Sequence, residues 1–336
     1  MGDRIATLSE RAHGCLLGQA IGDALGAPVE GYTPASIRRR YGYITDFLRD
    51  QPVGTDDTEY AVLNALILLE YGLALDEDDL VATWERWLMG PDSGFRGGGF
   101  SDVIAMGNLR RGVRPPASGR FNQHGLSDGL AMAVGPVGVA CAGEPDRAAS
   151  VAALLGSVTN GRDGIHAGQA VAAGTAVAMV GAEPGAILEA AMSQVPRDSW
   201  TYRSIARAAE IAAGQHEAEA AHAALHEALA VTFFPWTDIA PEATALAFGA
   251  FLVAGGRYRE AVTGAVNQGR DADTIGAIAG TLAGAYGGIA AVPTEWRERI
   301  GPIPGRNFRI VAGIALPDLA DRLVARFLGD RGGAVS

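Results

Sequence analysis

The chain has 336 residues, of which 48% are hydrophobic and 19% are charged, so it can bury a large core and lacks the composition of a disordered protein. Its formal net charge of −11 disfavours nucleic acid and anionic membranes as partners, because both bind clustered cations. No shift in composition divides the chain, and we predict one domain over residues 1–336.

Two cysteines and the first residues bear on the cell compartment. Cys15 and Cys141 lie in apolar segments without metal-binding spacing, which is typical of buried thiols in a cytoplasmic protein. The first residues lack the apolar run of a signal peptide. We therefore predict a cytoplasmic protein without an anchor.

Apolar residues recur at three- and four-residue spacings almost throughout, whereas the alternating β-branched runs of strands are missing. The fold is therefore predicted to be all-α. Candidate helices cover residues 8–26, 34–41, 57–72, 77–88, 99–111, 128–141, 145–156, 163–180, 184–194, 202–213, 218–229, 241–253, 257–267, 273–287, 294–299 and 317–328.

One uncharged run, residues 275–292, is long enough to span a bilayer. Gly and Ala dominate it, however, and a glycine stands at every fourth position. Such a stripe allows another backbone to pack closely. We therefore predict a buried central helix rather than a membrane span.

The segments that interrupt the helical pattern are rich in Gly and Pro: 26–55, 90–99, 112–129 and 233–241. Loops of this length in a compact domain often carry function, and we predict that they form the rim of a pocket. The sequence has neither a P-loop nor a GxGxxG motif after a strand, and no zinc-type Cys/His cluster. This excludes the common nucleotide-binding folds.

The first acidic segment reads GTDDTE over residues 54–59 and precedes an apolar helix. Asp56 and Glu59 match a helix capping box, which is a purely structural role. The alternative is a metal site, because Thr55, Asp56 and Asp57 offer the oxygen ligands that Mg²⁺ or Mn²⁺ requires. This segment alone leaves both interpretations open.

The second acidic segment reads NQGRDADT over residues 267–274 and leads into the glycine-striped helix. Asp273 or Thr274 could simply cap that helix. However, Asp271 and Asp273 are closely spaced carboxylates that would repel one another without a shared cation. They also precede the most apolar helix of the chain, where an unpaired charge is costly. The segment therefore favours a second half of a metal site.

A third acidic region, GDALGAPVE, ends the N-terminal helix. Asp23 stands among apolar and small residues, and we interpret it as a structural acid. Glu30 follows a Gly-Pro break from which its side chain can reach a cleft, and it is the best candidate for a general base. Three acidic regions far apart in sequence are expected where a helical core gathers ligands around two metals.

The motifs GDALGAPVE, GTDDT and NQGRDADTIGAIAGTLAGAYGG, followed by residues 293–296 (PTEW), resemble the ADP-ribosylglycohydrolase family. The resemblance covers most of residues 9–300. It implies an orthogonal multi-helix bundle with a binuclear centre of two Mg²⁺ or Mn²⁺ ions, and it makes Glu30 the catalytically required acid. The implied metal ligands are Thr55, Asp56, Asp57, Asp271, Asp273 and Thr274.

The resemblance also implies hydrolysis at the anomeric carbon of a ribose, in an ADP-ribosylated protein or an ADP-ribose conjugate. Two metals would hold the ribose hydroxyls and activate a water, while carboxylates stabilise the oxocarbenium-like carbon. We expect Glu30 or Asp56 to take the proton of the attacking water.

Further positions are expected to contact this substrate. The FRGGG segment resembles the family's glycine loop beside a diphosphate, where bare amides can bind an anion. The predicted substrate-binding residues are Arg96, Gly97, Gly98, Gly99, Ser127, Asp128, Gly129, Asn160 and Arg162. Aromatic residues in loop-like segments could stack on a base or close the core, namely Trp200, Tyr202, Phe233, Phe234 and Trp236.

Two positions depart from the family pattern. Asp128 replaces the usual Asn and adds negative charge where a diphosphate would lie, and Asn160 stands where a His is common. Three functions therefore stay open: a hydrolase of ADP-ribose conjugates, a hydrolase of a small riboside without the diphosphate, and a non-catalytic binding or structural protein. The complete set of ligand positions disfavours the third.

Overall fold

Helices form along nearly the whole chain, as the spacing of its apolar residues predicts. The computed structural model describes residues 6–91, 93–96 and 98–329. Within these ranges there is no β-strand, and extended pairing is limited to one isolated bridge between Ser127 and Ile239. The α-helices are α1 (Leu8–Gly26), α2 (Pro34–Tyr41), α3 (Asp56–Tyr71), α4 (Glu77–Thr83), α5 (Phe100–Arg110), α6 (Ala117–Arg120), α7 (Gly135–Ala140), α8 (Pro145–Gly156), α9 (Asp163–Ala178), α10 (Pro184–Ser193), α11 (Trp200–Gly214), α12 (Ala218–Leu229), α13 (Ala240–Val253), α14 (Tyr258–Val266), α15 (Ala272–Gly287), α16 (Thr294–Arg297) and α17 (Leu316–Leu323).

Shorter helical turns complete the described structure. Single 3₁₀ turns span Ala27–Val29, Gly72–Ala74, Ala131–Ala133, Ile289–Ala291 and Arg309–Val311. A π-helical turn extends α4 over Trp84–Leu88, and another extends α17 over Val324–Leu328.

The predicted helix at 128–141 is wrong in its first half, because α7 begins only at Gly135. The backbone N–H of Asp128 donates to the carbonyl of Asp238 at 3.2 Å, next to the bridge between Ser127 and Ile239. This stretch therefore pairs with the segment before α13 instead of winding into a helix.

Two smaller predictions have opposite outcomes. Cys15 and Cys141 are free, buried thiols, as predicted. Trp200 and Tyr202 lie in the first turn of α11 and not in a loop, because the Ser199 hydroxyl accepts the N–H of Tyr202 and caps the helix.

α1 and α15 pack backbone against backbone because both carry glycine at every fourth position of the contact. A Cβ on Gly18 would lie 2.6 Å from the carbonyl oxygen of Gly280, and one on Gly22 would lie 2.0 Å from that of Gly276. α15 is buried from Ala272 to Ala285, which confirms the predicted central helix. Among the described residues, no helix combines the length and the apolar composition that a bilayer crossing requires.

The contact between α1 and α15 brings acidic helix ends together. A Cβ on Gly26, at the end of α1, would lie only 2.4 Å from the backbone nitrogen of Asp273 in the first turn of α15. Asp23, one turn earlier in α1, accepts the backbone N–H of Thr55 at 2.7 Å, directly before α3. The end of α1 therefore meets the beginnings of α3 and α15.

Candidate metal centre and substrate cavity

The beginning of α3 presents Asp57 to the interior of the protein. Thr55 precedes this helix without a side-chain capping bond, so the capping-box interpretation is wrong. The Glu59 carboxylate instead accepts backbone N–H groups of residues 306–308, at 2.6 to 3.2 Å. Asp57 accepts the hydroxyls of Thr55 at 3.1 Å and Thr274 at 2.8 Å, which joins α3 to α15.

The turn before α15 uses two left-handed residues, Gly269 with φ of 66° and Arg270 with φ of 58°. Glycine is required at 269 because a Cβ there would lie 2.2 Å from the carbonyl oxygen of Tyr32. Arg270 donates its N–H to that same carbonyl at 2.9 Å and accepts the N–H of Gly31 at 2.7 Å. These bonds clasp the segment after α1 to the segment before α15.

The Arg270 side chain secures this strained turn from inside. Its guanidinium forms a buried ion pair with Glu242 at 2.5 Å and donates to the carbonyls of Val231 and Trp236 at 3.2 and 3.3 Å. A buried ion pair with these additional hydrogen bonds can hold a residue in a sparsely populated conformation. The loop that carries Trp236 is thereby fixed next to the acidic turn.

Carboxylates from these segments converge in two overlapping groups. The carboxylate oxygens of Asp23, Asp57 and Asp273 lie within 4.8 Å of one another, as do those of Glu30, Asp271 and Asp273. Asp273 belongs to both groups, and its Oδ1 has no hydrogen-bond partner in the described structure. Carboxylates at this spacing repel one another. An all-oxygen site of this kind fits hard divalent cations such as Mg²⁺ and Mn²⁺.

Asp23 supports the beginning of α3. Its two oxygens accept the backbone N–H of Thr55 at 2.9 and 2.7 Å, and Oδ2 also accepts the N–H of Thr58 at 3.1 Å. These bonds agree with its interpretation as a structural acid. α15 likewise begins without a side-chain capping bond, so the capping role considered for Asp273 or Thr274 is wrong.

Burial and mutual repulsion raise the pKa values of these carboxyl groups. Burial is the main cause that raises the pKa of Asp23 to about 7. Burial, followed by repulsion from Asp23 and Asp273, raises the pKa of Asp57 well above its usual range. The pKa of Asp273 is raised well above that range by burial and by Asp271. Bound cations would favour the ionised forms.

We expect Mg²⁺ to raise the Tm more at about pH 8 than at about pH 5. Native pKa values raised above the ordinary 3.8 stabilise the metal-free protein at low pH, and this stability is lost as the pH rises towards the native pKa of about 7 at Asp23. Cations bind the ionised carboxylates, so their contribution grows over the same range. Thermal unfolding in EDTA and in Mg²⁺ at both pH values measures this, and equal Mg²⁺ shifts would contradict it.

The acidic groups form the floor of a cavity whose volume, including its open mouth, is about 1200 Å³. Five predicted metal ligands line it. Thr55 does not line it, but its hydroxyl donates to the Asp57 carboxylate. Asn160 also lines the cavity, but its amide donates to the carbonyl of Ser127 at 2.8 Å and so supports that loop. The predicted substrate-binding residues at the cavity wall are Gly99, Ser127, Asp128, Gly129 and Asn160.

Other predicted contacts lie elsewhere. The exposed Arg96 does not line this cavity, and Arg162, with φ of 52°, lines a separate hollow beside Trp200. A Cβ on Gly98 would lie 2.4 Å from the Tyr60 hydroxyl. Gly97 is outside the described residues.

Sequence reasoning missed Asp102, Asp238 and Phe100, which line the same cavity. An acid in the first turn of α5 is ordinarily explained by the helix dipole, and Asp102 gave no stronger signal in the sequence. In the structure it is only 5% exposed, and burial raises its pKa to about 7. Its position in an otherwise apolar stretch after a glycine loop was the one available indication.

Comparison with known proteins shows similarity over nearly the whole chain. A family model described as ADP-ribosylglycohydrolase matches residues 4–332. An uncharacterized protein of Archaeoglobus fulgidus is 33% identical over 300 residues, which covers 87% of this chain and 92% of that protein. The ADP-ribosyl-[dinitrogen reductase] glycohydrolase of Rhodospirillum rubrum is 26% identical over 318 residues, with 90% and 94% covered. A solved structure described as an ADP-ribosylglycohydrolase-related protein complex has a TM-score of 0.66 at 26% identity, covering 97% of this chain and 99% of that chain.

Proposed function

The chain belongs to the ADP-ribosylglycohydrolase family, and we propose that it hydrolyses a glycosidic bond at the anomeric carbon of a ribose with two divalent cations, Mg²⁺ or Mn²⁺. ADP-ribosylated proteins and other ADP-ribose conjugates are the first substrates to test, because the relative from Rhodospirillum rubrum is named as a glycohydrolase of an ADP-ribosylated reductase.

The observation that carries the proposal is the pair of carboxylate groups that share Asp273. When bound, divalent cations supply Lewis-acid polarisation and hold the hydroxyl oxygens of a ribose. The residues proposed to hold them are Thr55, Asp56, Asp57, Asp271, Asp273 and Thr274.

Glu30 is the proposed base. Its carboxylate lines the cavity, within 4.8 Å of the carboxylates of Asp271 and Asp273. Glu30 directly precedes Gly31, whose N–H donates to the Arg270 carbonyl. Desolvation by the cavity wall, followed by repulsion from Asp56 and Asp238, raises the pKa of Glu30, which makes its carboxylate a stronger base.

The proposed reaction needs one water and one base. The water oxygen bonds to the anomeric carbon, a water proton passes to Glu30, and the glycosidic bond breaks with its electron pair on the leaving atom. Carboxylates around the sugar stabilise the positive charge that develops on the anomeric carbon. Asp56, which lines the same cavity, is the second candidate for the base.

Glu30→Gln is expected to lower kcat about 100-fold, because the amide keeps the size of the side chain but cannot take up the proton. The Mg²⁺-induced rise in Tm should persist, since the six residues proposed to hold the cations are unchanged. The matched control is Glu227→Gln at an exposed position of α12, which should retain activity. Undiminished turnover by the Glu30 variant would exclude it as the base.

The function is tested with an ADP-ribosylated protein and an ADP-ribosylated arginine, assayed in Mg²⁺ and in EDTA. Release of ADP-ribose that stops in EDTA and resumes on adding Mg²⁺ is the expected result. Binding of ADP-ribose without turnover of any ribosyl compound would instead support the non-catalytic alternative.

A small riboside without the diphosphate is the second candidate, favoured by Asp128. This side chain is buried and lines the cavity, where it would repel the negative charge of a diphosphate. Calorimetric titration with ADP-ribose, with and without Mg²⁺, separates the candidates. Tight binding supports the first, and failure to bind under both conditions supports the second.

A further inference from the structure

The cavity is acidic. Among the described residues its lining contains no arginine, lysine or histidine side chain. The lining therefore offers a diphosphate no cationic side chain, and only the proposed divalent cations could attract it. Its carboxyl side chains are those of Glu30, Asp56, Asp57, Asp102, Asp128, Asp238, Asp271 and Asp273.

Four of these carboxyls stand outside the close groups around Asp273. Asp56 is a proposed metal ligand, and Asp102 and Asp238 both interact with His124, whereas Asp128 has no basic partner in the described structure. Asp128 is 3% exposed, lines the cavity, and leaves Oδ2 without a hydrogen-bond partner. Asp102 is similarly buried and lines the wall near Tyr60. Because an unpaired buried carboxylate is costly, a ligand with positive charge would supply the partner that Asp128 lacks.

Aromatic rings border the same cavity. Phe100 is 58% exposed and Trp236 is 48% exposed, and both line the cavity with their ring centroids 6.2 Å apart in an edge-to-face arrangement. Aromatic faces attract cations and stack on planar rings. Aromatic rings together with carboxylates are the combination that recognises organic cations. The Arg270 bond to the Trp236 carbonyl holds this rim in place.

From this combination we infer that the substrate's leaving group is a planar, positively charged nitrogen heterocycle of the pyridinium type. It sits between the aromatic rim and the carboxyl of Asp128, on a ribose without a diphosphate. The inference rests on the proposed function, because it names the substrate class for the same site.

The proposed cleavage balances without a further co-reactant. The bond between the anomeric carbon and the ring nitrogen breaks, and its electron pair neutralises the nitrogen. The oxygen of one water bonds to the anomeric carbon, and a water proton passes to Glu30 and then to solvent. The products are a neutral heterocycle, free ribose and one proton.

Three compounds with the same pyridinium ring test the inference: nicotinamide riboside, nicotinic acid riboside and NAD⁺, each as both anomers and in Mg²⁺. The kcat/KM of nicotinamide riboside should exceed that of the other two by at least about tenfold, because each of these adds negative charge. Equal or faster cleavage of NAD⁺ or of the carboxylate analogue would overturn the inference.

The same assay separates the inference from the proposed function. Hydrolysis of an ADP-ribosylated protein without cleavage of nicotinamide riboside would overturn the inference and leave the proposed function standing. No hydrolysis of any ribosyl compound would overturn both.

Two variants test the assigned contacts independently. Asp128→Asn should reduce the preference for nicotinamide riboside over nicotinic acid riboside about tenfold, and Trp236→Ala should raise KM about tenfold with little change in kcat. The control is Phe233→Ala, in the same loop but 89% exposed and away from the cavity lining, which should change neither value. A retained Mg²⁺-induced rise in Tm establishes that each variant is folded. An unchanged preference and an unchanged KM in the two variants would contradict the inference.

Discussion

Asp273→Asn is expected to lower kcat/KM about 1000-fold and to abolish the rise in Tm that Mg²⁺ produces. Asp273 belongs to both carboxylate groups, and its Oδ1 has no hydrogen-bond partner in the described part of the chain. The amide keeps the shape of the side chain but removes the charge that a shared cation requires. In EDTA the variant should be at least as stable as the wild type, because repulsion with Asp57 and Asp271 is reduced.

Kinetics and thermal unfolding, each with Mg²⁺ and with EDTA, measure this prediction. Asp318→Asn is the matched control, since Asp318 is an exposed aspartate in the first turn of α17, as Asp273 is a buried one in the first turn of α15. The control should lose at most about 1 kcal/mol through the helix dipole and keep its response to Mg²⁺. A normal Mg²⁺ response in the Asp273 variant would exclude Asp273 as a shared ligand.

The second large effect concerns the backbone contact between α1 and α15. Gly280→Ala is expected to reduce the free energy of unfolding by about 3 kcal/mol or more, because overpacking forces backbones apart. The new Cβ would lie 2.1 Å from the carbonyl oxygen of Gly18, and a backbone atom cannot move aside as a flexible side chain can. Mg²⁺ affinity should also fall, since the same contact sets Asp23 beside Asp273.

Chemical denaturation measures the stability change, and Gly185→Ala in α10 is its control. A Cβ at Gly185 has open space within 4 Å, so there alanine should stabilise the helix by about 0.5–1 kcal/mol. If the Gly→Ala change lowers the free energy of unfolding at Gly280 and raises it at Gly185, then packing and not helix propensity is the cause of the loss. A loss no larger at Gly280 than at Gly185 would contradict the close contact.

Local patterns predicted most of the helices. The spacing of apolar residues placed α1, α8, α9 and α15 close to their observed positions, and the glycine stripe of α15 indicated a buried helix. The predicted helix at 128–141 failed because Asp128 pairs with a residue more than a hundred positions away. Helix propensity depends on residues within one or two turns, so it carries no information about a partner so far away in the sequence.

For the site, too, the sequence predicted one part of the arrangement and the structure decided the other. Three motifs named the acidic segments from residue types alone, and GTDDT and DADT suggested an oxygen-ligand metal site because carboxylates so close together need a cation. Yet GTDDT and DADT were both also compatible with a helix cap, and only the structure removed that alternative, by giving Glu59 and Thr274 other partners. Those partners lie on distant segments of the chain, namely the loop at residues 306–308 for Glu59 and α3 for Thr274.

Residue types and their spacing were therefore sufficient for the all-α class, the buried glycine helix and the acidic segments, since these are properties of short stretches. The tertiary structure alone decided that Asp273 lies in both carboxylate groups, that Asp102 joins the cavity wall, and that Arg162 lines a different hollow. The physical reason is distance in sequence: the bond between Thr274 and Asp57 joins residues 217 positions apart, and only the packing of α1 on α15 brings such segments within reach.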